Sequence, residues 1–272
     1  MTVPVSIGGR GPYRFVVDTG AERTVISREL ARELSLDAGA TARLHSMSEV
    51  SNVGTVVIPR LKVSARALKD INAPALSRRD LGAEGMLGVD SLKSQRVLFD
   101  FQNRTMSVSR SRRYAPTDRD TIVVNARYRF GRLVLADASA DGEKVWVIID
   151  TGSQSTIGNQ ALRDRLQRKG RLAAASPVEL ISVTGGKINA DYTRIRGLKI
   201  GGVQIPDMPI AFADVHPFRK LGVTDRPAML LGMDVLRQFD RVYIDFASRN
   251  VRFVVPGLSN KADETQLAAL AP

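Results

Sequence analysis

The sequence predicts a mainly β chain in which one folding unit is used twice. Three observations carry that prediction. Short apolar runs alternate with Gly-, Asp- and Pro-containing turns over most of the 272 residues, and few segments hold a helical period. The string Phe15-Val16-Val17-Asp18-Thr19-Gly20-Ala21 returns 132 residues later as Val147-Ile148-Ile149-Asp150-Thr151-Gly152-Ser153. A second motif follows each copy: Gly85-Met86-Leu87-Gly88-Val89-Asp90-Ser91-Leu92 in the first half, Met229-Leu230-Leu231-Gly232-Met233-Asp234-Val235-Leu236 in the second. A unit that occurs twice at this length is a tandem pair rather than a solenoid array.

The first unit opens with the strand Val3-Pro4-Val5-Ser6-Ile7 and a turn at Gly8-Gly9-Arg10-Gly11-Pro12. Those glycines lack the spacing of either nucleotide-binding motif. They read as a hairpin turn, where Gly supplies positive φ without steric cost. The strand 14–17 delivers Asp18, and the short strand Thr24-Val25-Ile26 follows. Ser27 is placed to cap an amphipathic segment carrying Leu30, Ala31 and Leu34. A hairpin is expected within residues 44–51, which include Ser46 and Met47. Asp90 reads as a helix cap before Leu92. The strands Val97-Leu98-Phe99-Asp100-Phe101 and Thr105-Met106-Ser107-Val108 finish the unit as a hairpin.

The second unit follows the same order. Leu133-Val134-Leu135 leads to an Asp141-Gly142 turn, a strong hairpin signal, and the strand 145–149 delivers Asp150. Thr156-Ile157 comes next, then Asn159 as a cap for a segment carrying Leu162 and Leu166. A second hairpin is expected over residues 181–188, with Gly185-Gly186 at a mobile tip. Asp234 reads as a cap before Leu236, and the strands Val242-Tyr243-Ile244-Asp245-Phe246 and Asn250-Val251-Arg252-Phe253 close the unit. The basic stretch 104–119, with Arg110, Arg112 and Arg113, reads as the connector between units. The expected organisation is therefore an N-terminal unit at 1–113, a C-terminal unit at 114–256 and a tail at 257–272.

Composition narrows the functional classes. A net charge of +12 attracts anionic partners. No zinc-finger spacing, basic zipper or aromatic-basic RNA-binding signature accompanies it, so a basic nucleic-acid-associated protein is kept only as a minor third reading, which a steep salt dependence of binding would favour. No apolar run approaches the roughly 20 residues of a membrane span. With no cysteine, a disulfide framework, a thiol nucleophile and a thiolate metal site are all excluded. His45 and His216 are the two histidines; they lie in different parts of different units, without metal-ligand spacing, and read as ordinary loop residues. No Gly-x-Ser-x-Gly elbow is present. Met1-Thr2-Val3 leads directly into strand-like sequence, so an exported precursor would carry a leader outside this sequence.

The two Asp-Thr-Gly triplets, each paired with an apolar-apolar-Gly triplet, make the chain resemble the aspartic peptidases of the retropepsin and pepsin type. The resemblance covers about residues 3–255, and Leu230-Leu231-Gly232-Met233-Asp234-Val235-Leu236 is especially similar to retroelement-type proteases. Within that group the chain looks like a single-chain bacterial form. The resemblance implies two pseudo-two-fold-related, retropepsin-like β-barrel lobes with a cleft between them. Asp18 and Asp150 would then face each other and share a proton, because two carboxylates so close cannot both ionise easily. One would act as base on a water and the other as acid on the scissile carbonyl, with no metal or organic cofactor. Thr19 and Thr151 would hydrogen-bond across to the opposite loop. Gly20 and Gly152 would let the backbone approach the carboxylates, and Gly88 and Gly232 would pack beneath them.

The hairpins bearing Ser46, Met47, Gly185 and Gly186 are the candidate flaps, and which of them covers the substrate stays open. Ser153 could donate to the Asp150 carboxylate while Ala21 offers Asp18 no such bond, so Asp18 is expected to hold the shared proton more often. Glu22 is read as facing solvent. The expected partner is a protein or peptide substrate, met by a monomer that contains its own pseudo-dimer, in the periplasm or outside the cell. The rival reading is a non-catalytic peptide- or protein-binding module on the same fold. The intact triplet in both halves counts against it.

Overall fold

The computed structural model describes residues 1–111, 121–129, 132–135 and 138–256, and within them the chain is mainly β. Val3–Ile7 buries Val3, Val5 and Ile7, the two-residue period of a strand with one face to the core. Gly8 and Gly9, both at positive φ, reverse the chain into Arg10–Val17, so the glycine cluster is a hairpin turn. Arg10–Val17 ends parallel to Gly85–Leu87, with Phe15 opposite Gly85 and Val17 opposite Leu87. Val25–Ser27 flanks Gly85–Leu87 antiparallel and lies parallel to Arg66–Leu76. Thr55–Val63 pairs with Arg66–Leu76 and then with Val3–Ile7, which closes a six-stranded barrel.

The second unit repeats the scheme around its own motif. Trp146–Ile149 runs parallel to Ala228–Leu231, and Ile157–Gly158 sits antiparallel to that strand and parallel to Val203–Phe212. Val203–Phe212 pairs in turn with Lys187–Ile200. Here the ring of strands does not close among the described residues. Arg132–Leu135 pairs with Trp146–Ile149 on one side and Thr121–Arg129 on the other, drawing the unit into a 14-stranded sheet. The two expected barrels are thus one closed barrel and one open counterpart with the same strand order around its Asp loop.

Both helix caps read from the sequence are present. Ser27 Oγ accepts from the Leu30 amide at 3.1 Å at the start of Arg28–Glu33, and Asn159 Oδ1 accepts from the Leu162 amide at 3.0 Å at the start of Gln160–Arg168. Each helix buries its leucines, Leu30 in one, Leu162 and Leu166 in the other.

The two units also share a sheet. Gln95–Asp100 of the first lies antiparallel to Arg241–Asp245 of the second, with Thr105–Arg110 and Asn250–Val254 as their outer neighbours. The register puts Arg96 opposite Asp245 and Asp100 opposite Arg241, and each pair forms an ion pair at 3.0 Å. One apolar cluster runs through this seam, joining Phe15 of the barrel to Val97, Phe99, Val242, Ile244 and Phe253. Residues 112–120, which hold the second half of the expected connector, and the tail 257–272 lie outside the described residues, while the connector's first half is mostly the strand Thr105–Arg110. Among the described residues no helix is long and apolar enough to cross a membrane.

The strand that delivers Asp18 depends on one missing side chain. A Cβ on Gly85 would collide with the buried ring of Phe15 on the neighbouring strand. Gly85→Ala is expected to lower stability by about 1–3 kcal/mol through overpacking. Adding Phe15→Leu should recover part of that loss, because the two sites are in contact and their effects will not add. Urea titration of the two single variants and the double variant measures this; strictly additive costs would remove the packing argument.

Candidate active site

Two loops meet where the units join. The Asp18 amide donates to Leu87 O and the Asp150 amide to Leu231 O, each at 3.0 Å, so each Asp is held at the end of the parallel strand pair that delivers it. The loops then bind each other. Thr19 Oγ1 donates to Ile149 O at 2.7 Å, and Thr151 Oγ1 donates to Val17 O at 2.8 Å. Each hydroxyl also accepts from the other threonine's amide at 3.1 Å. These four buried bonds use each hydroxyl as donor and acceptor at once, a role that Val, of the same shape, cannot fill.

The carboxylates lie just above this lock, both buried. Asp18 Oδ1 accepts from the amides of Gly20 at 2.7 Å and Ala21 at 3.0 Å, and Asp150 Oδ1 accepts from Gly152 at 3.2 Å. A Cβ on Gly20 would stand 2.5 Å from Asp150 Oδ1, and one on Gly152 would meet the Asp18 carboxylate in the same way. Each glycine is therefore the surface on which the opposite carboxylate rests. The two acids come within hydrogen-bonding reach of each other. Burial pushes the Asp18 carboxyl up to about 7; the nearby Asp150 charge adds to this, while Arg132 and the amides of Gly20 and Ala21 oppose it. Burial also raises Asp150, against Arg132 and the amides of Gly152 and Ser153. The pair titrates as a unit and keeps one proton well above the ordinary carboxylate range.

Three expectations need correction. The Ser153 hydroxyl donates to Ser155 O at 2.7 Å, and a hydroxyl has one proton to give, so it does not supply the bond to Asp150 from which the proton's placement was argued. Asp90 and Asp234 are not caps, since Gly88 and Gly232 occupy those positions at the starts of Val89–Leu92 and Met233–Leu236. Their carboxylates instead accept from Thr24 and Thr156, from the amides at 3.0 and 2.9 Å and from the hydroxyls at 2.7 Å in both units. The same hydroxyls accept from the amides of Gly88 and Gly232, at 3.2 and 3.0 Å. A Cβ on either glycine would lie 2.5 Å from a backbone carbon of the Asp loop, that of Arg23 or of Ser155. The histidines form the third case, described below.

The family model described as aspartyl protease matches residues 3–91 and 136–235, both units and both motifs. The chain belongs to the aspartyl protease family. None of the curated proteins matches it. Among solved structures it is similar to a retropepsin-like aspartic protease from Rickettsia conorii, at 18% identity over 49% of this chain and 89% of that one, TM-score 0.32. It is also similar to edgp, at 9% identity over 96% of both chains, TM-score 0.45. Basic 7S globulin from soybean matches at 10% identity over 95% of this chain and 97% of that one, TM-score 0.47.

In this family member both candidate flaps are hairpins that reach over the paired acids. Ala42–His45 pairs with Val50–Val53 around a tip holding Ser46 and Met47, and Ser176–Ile181 pairs with Lys187–Ile200 around a tip holding Gly185 and Gly186. The tips touch, since a Cβ on Gly186 would run into Ser48. Ser46, Met47 and Val183 line the cleft together with Asp18 and Asp150. Met47 O accepts from the His216 amide at 3.0 Å, and its side chain packs on the apolar cluster of the second unit. His45 and His216, 171 residues apart, are not independent loop residues: Nδ1 of one lies 2.7 Å from Nε2 of the other, with the rings stacked at 5.0 Å. Glu22, expected to face solvent, reaches Lys220 of the second unit at 2.8 Å.

Sequence reasoning missed Arg132. It is buried, lines the cleft and acts on both carboxyls. It sits at the start of the strand Arg132–Leu135, outside both recurring motifs, so comparing those motifs could not single it out. Among the described residues no group of three or more His, Asp or Glu side chains is placed to hold a metal ion.

Thr19→Val or Thr151→Val leaves two buried backbone groups without partners, each costing about 1–3 kcal/mol. Either variant should lose stability on that scale in chemical denaturation, whereas a loss under about 0.5 kcal/mol would mean that the loops are held by something else. The histidine contact gives a pH prediction. Burial lowers both histidines, helped at His45 by Lys220, His216 and Arg43 against Glu22, and at His216 by Arg219 and Lys220. The closed contact thus binds fewer protons than the open one, and acid should open it as pH falls below about 6.5. Because the chain lacks cysteine, spin labels at Ser48→Cys and Thr184→Cys report the tip separation directly. The distance should grow between pH 7 and 5, and this response should shrink in His45→Leu and vanish in His45→Leu/His216→Leu.

Proposed function

We propose that the protein is an aspartic endopeptidase that hydrolyses a peptide bond in an extended protein segment, using a water activated by Asp18 and Asp150. The observation that carries this is the pair of buried acids, pressed together by the Thr19–Thr151 lock, which keeps one proton near neutral pH. The ionised member takes a proton from water while the protonated member donates to the scissile carbonyl oxygen. The hydroxide so formed adds to the carbonyl carbon. Collapse of the tetrahedral species breaks the C–N bond as the amine takes up a proton, and the pair returns to one proton. Thr19, Gly20, Thr151 and Gly152 act by position, and the two hairpin tips hold the substrate backbone from above.

Both acids come from one chain, which supports a monomeric enzyme with lobes at 1–113 and 114–256. A setting in the periplasm or outside a bacterial cell rests on the family resemblance alone.

Asp18→Asn and Asp150→Asn, each folded, should cut cleavage of an unstructured protein by about a thousandfold or more. The pH profile should be bell-shaped. Activity needs one proton on the pair, so it falls as pH rises through about 7, where the pair loses that proton. It falls again in acid, once both members are protonated. Cleavage that persists in either variant would remove that residue from the mechanism. A folded wild type that cleaves nothing between pH 3 and 8 would favour a peptide-binding module.

A further inference from the structure

Arg132 is a buried cleft residue whose chemistry the proposed mechanism leaves unused. It is 6% exposed, and its Nε has no hydrogen-bond partner. It also makes no ion pair within 4.0 Å among the described residues, although it lines the same cleft as Asp18 and Asp150. A buried guanidinium whose Nε–H has no acceptor is costly, because that donor has given up water and received nothing in return. The single negative charge of the acid pair offsets the cation at a distance but leaves that donor free. The planar fork of an arginine matches a carboxylate in two-point contact.

The surroundings have the same sign. Arg23 and Arg43 line the cleft, are exposed and make no ion pair among the described residues. Lys220 also lines it, and the cleft's further carboxylate, Glu22, is already taken up by Lys220 at 2.8 Å. A cleft with cations on its rim and a net charge of +12 behind it concentrates anionic segments.

We propose that Arg132 determines specificity, binding the carboxylate of a Glu or Asp side chain beside the scissile bond, with Arg23 and Arg43 steering acidic segments into the cleft. This rests on the peptidase reading above for its chemistry, but not for its binding. An acidic substrate residue would complete the buried guanidinium, and its uncharged amide isostere would leave the site's donors partly unpaired. That asymmetry gives discrimination of about tenfold or more.

The test uses the intact chain and a quenched-fluorescent peptide library, followed by matched peptides that differ only in Glu against Gln at the selected position. Wild type should cleave the Glu peptide at least about tenfold better in kcat/KM. Arg132→Gln should bring the two within about twofold in kcat/KM by losing far more on the Glu peptide than on the Gln peptide, and Arg132→Lys should restore part of the preference. Equal cleavage of Glu and Gln peptides by wild type overturns the proposal without needing any variant. It is equally overturned if Arg132→Gln shifts the pH profile and lowers both peptides alike, since that is the mark of a residue acting only on the acid pair. If wild type cleaves nothing, the peptidase reading fails, and anisotropy of the same labelled peptides on Asp18→Asn and on Asp18→Asn/Arg132→Gln decides the binding claim. Glu-selective binding that the second substitution removes supports it, and binding blind to charge overturns it.

Discussion

The exchange of hydrogen bonds between Thr19 and Thr151 is the constraint on which the rest of the structure depends. Each hydroxyl spans from its own loop to a carbonyl of the other unit, so neither loop has its observed shape without its partner. Everything nearby follows from that closeness. The glycines after the threonines must lack side chains because the opposite carboxylate lies where a Cβ would be. The carboxyls are raised because they are buried at a junction rather than on either unit's surface. Beneath them Asp90 and Asp234 repeat one arrangement, tying Thr24 and Thr156 to the glycine motifs that brace each loop. Two layers of threonine chemistry support one pair of acids, the upper joining the units and the lower stiffening each unit.

Much of this was legible in the sequence because duplication turns a weak motif into a strong one. The paired Asp-Thr-Gly and apolar-apolar-Gly strings located both Asp loops, and the apolar runs Phe15-Val16-Val17 and Val147-Ile148-Ile149 located the strands that carry them. Caps at Ser27 and Asn159 were legible because a cap is a local bond over three residues. Asp90 and Asp234 were misread by the same local logic. Their partners lie 66 and 78 residues away, and no neighbouring sequence reports them. Ser153 was misplaced because its nearest acceptor is a carbonyl, and carbonyls have no signature in a sequence.

What escaped the sequence altogether is what breaks the repeat. The His45–His216 contact joins non-equivalent positions, and Arg132 lies outside both recurring motifs. A two-fold arrangement makes two like acids and gives the cleft no direction of its own. The unpaired cation, the histidine contact and the unequal amide donors to Asp18 and Asp150 are the places where the structure departs from its own symmetry. They are concentrated around the cleft, while the seam sheet keeps matched Arg–Asp pairs at both ends.

That seam makes the two units dependent on each other. Gln95–Asp100 is flanked by Thr105–Arg110 of its own unit and by Arg241–Asp245 of the other, and the core of the first unit continues into Phe253. Parted from its partner, either unit would expose a sheet edge and keep one isolated acid with no lock to seat it. The acid pair is therefore a property of the joined molecule, and a cut that let the units separate would dismantle it even if each kept its own strands.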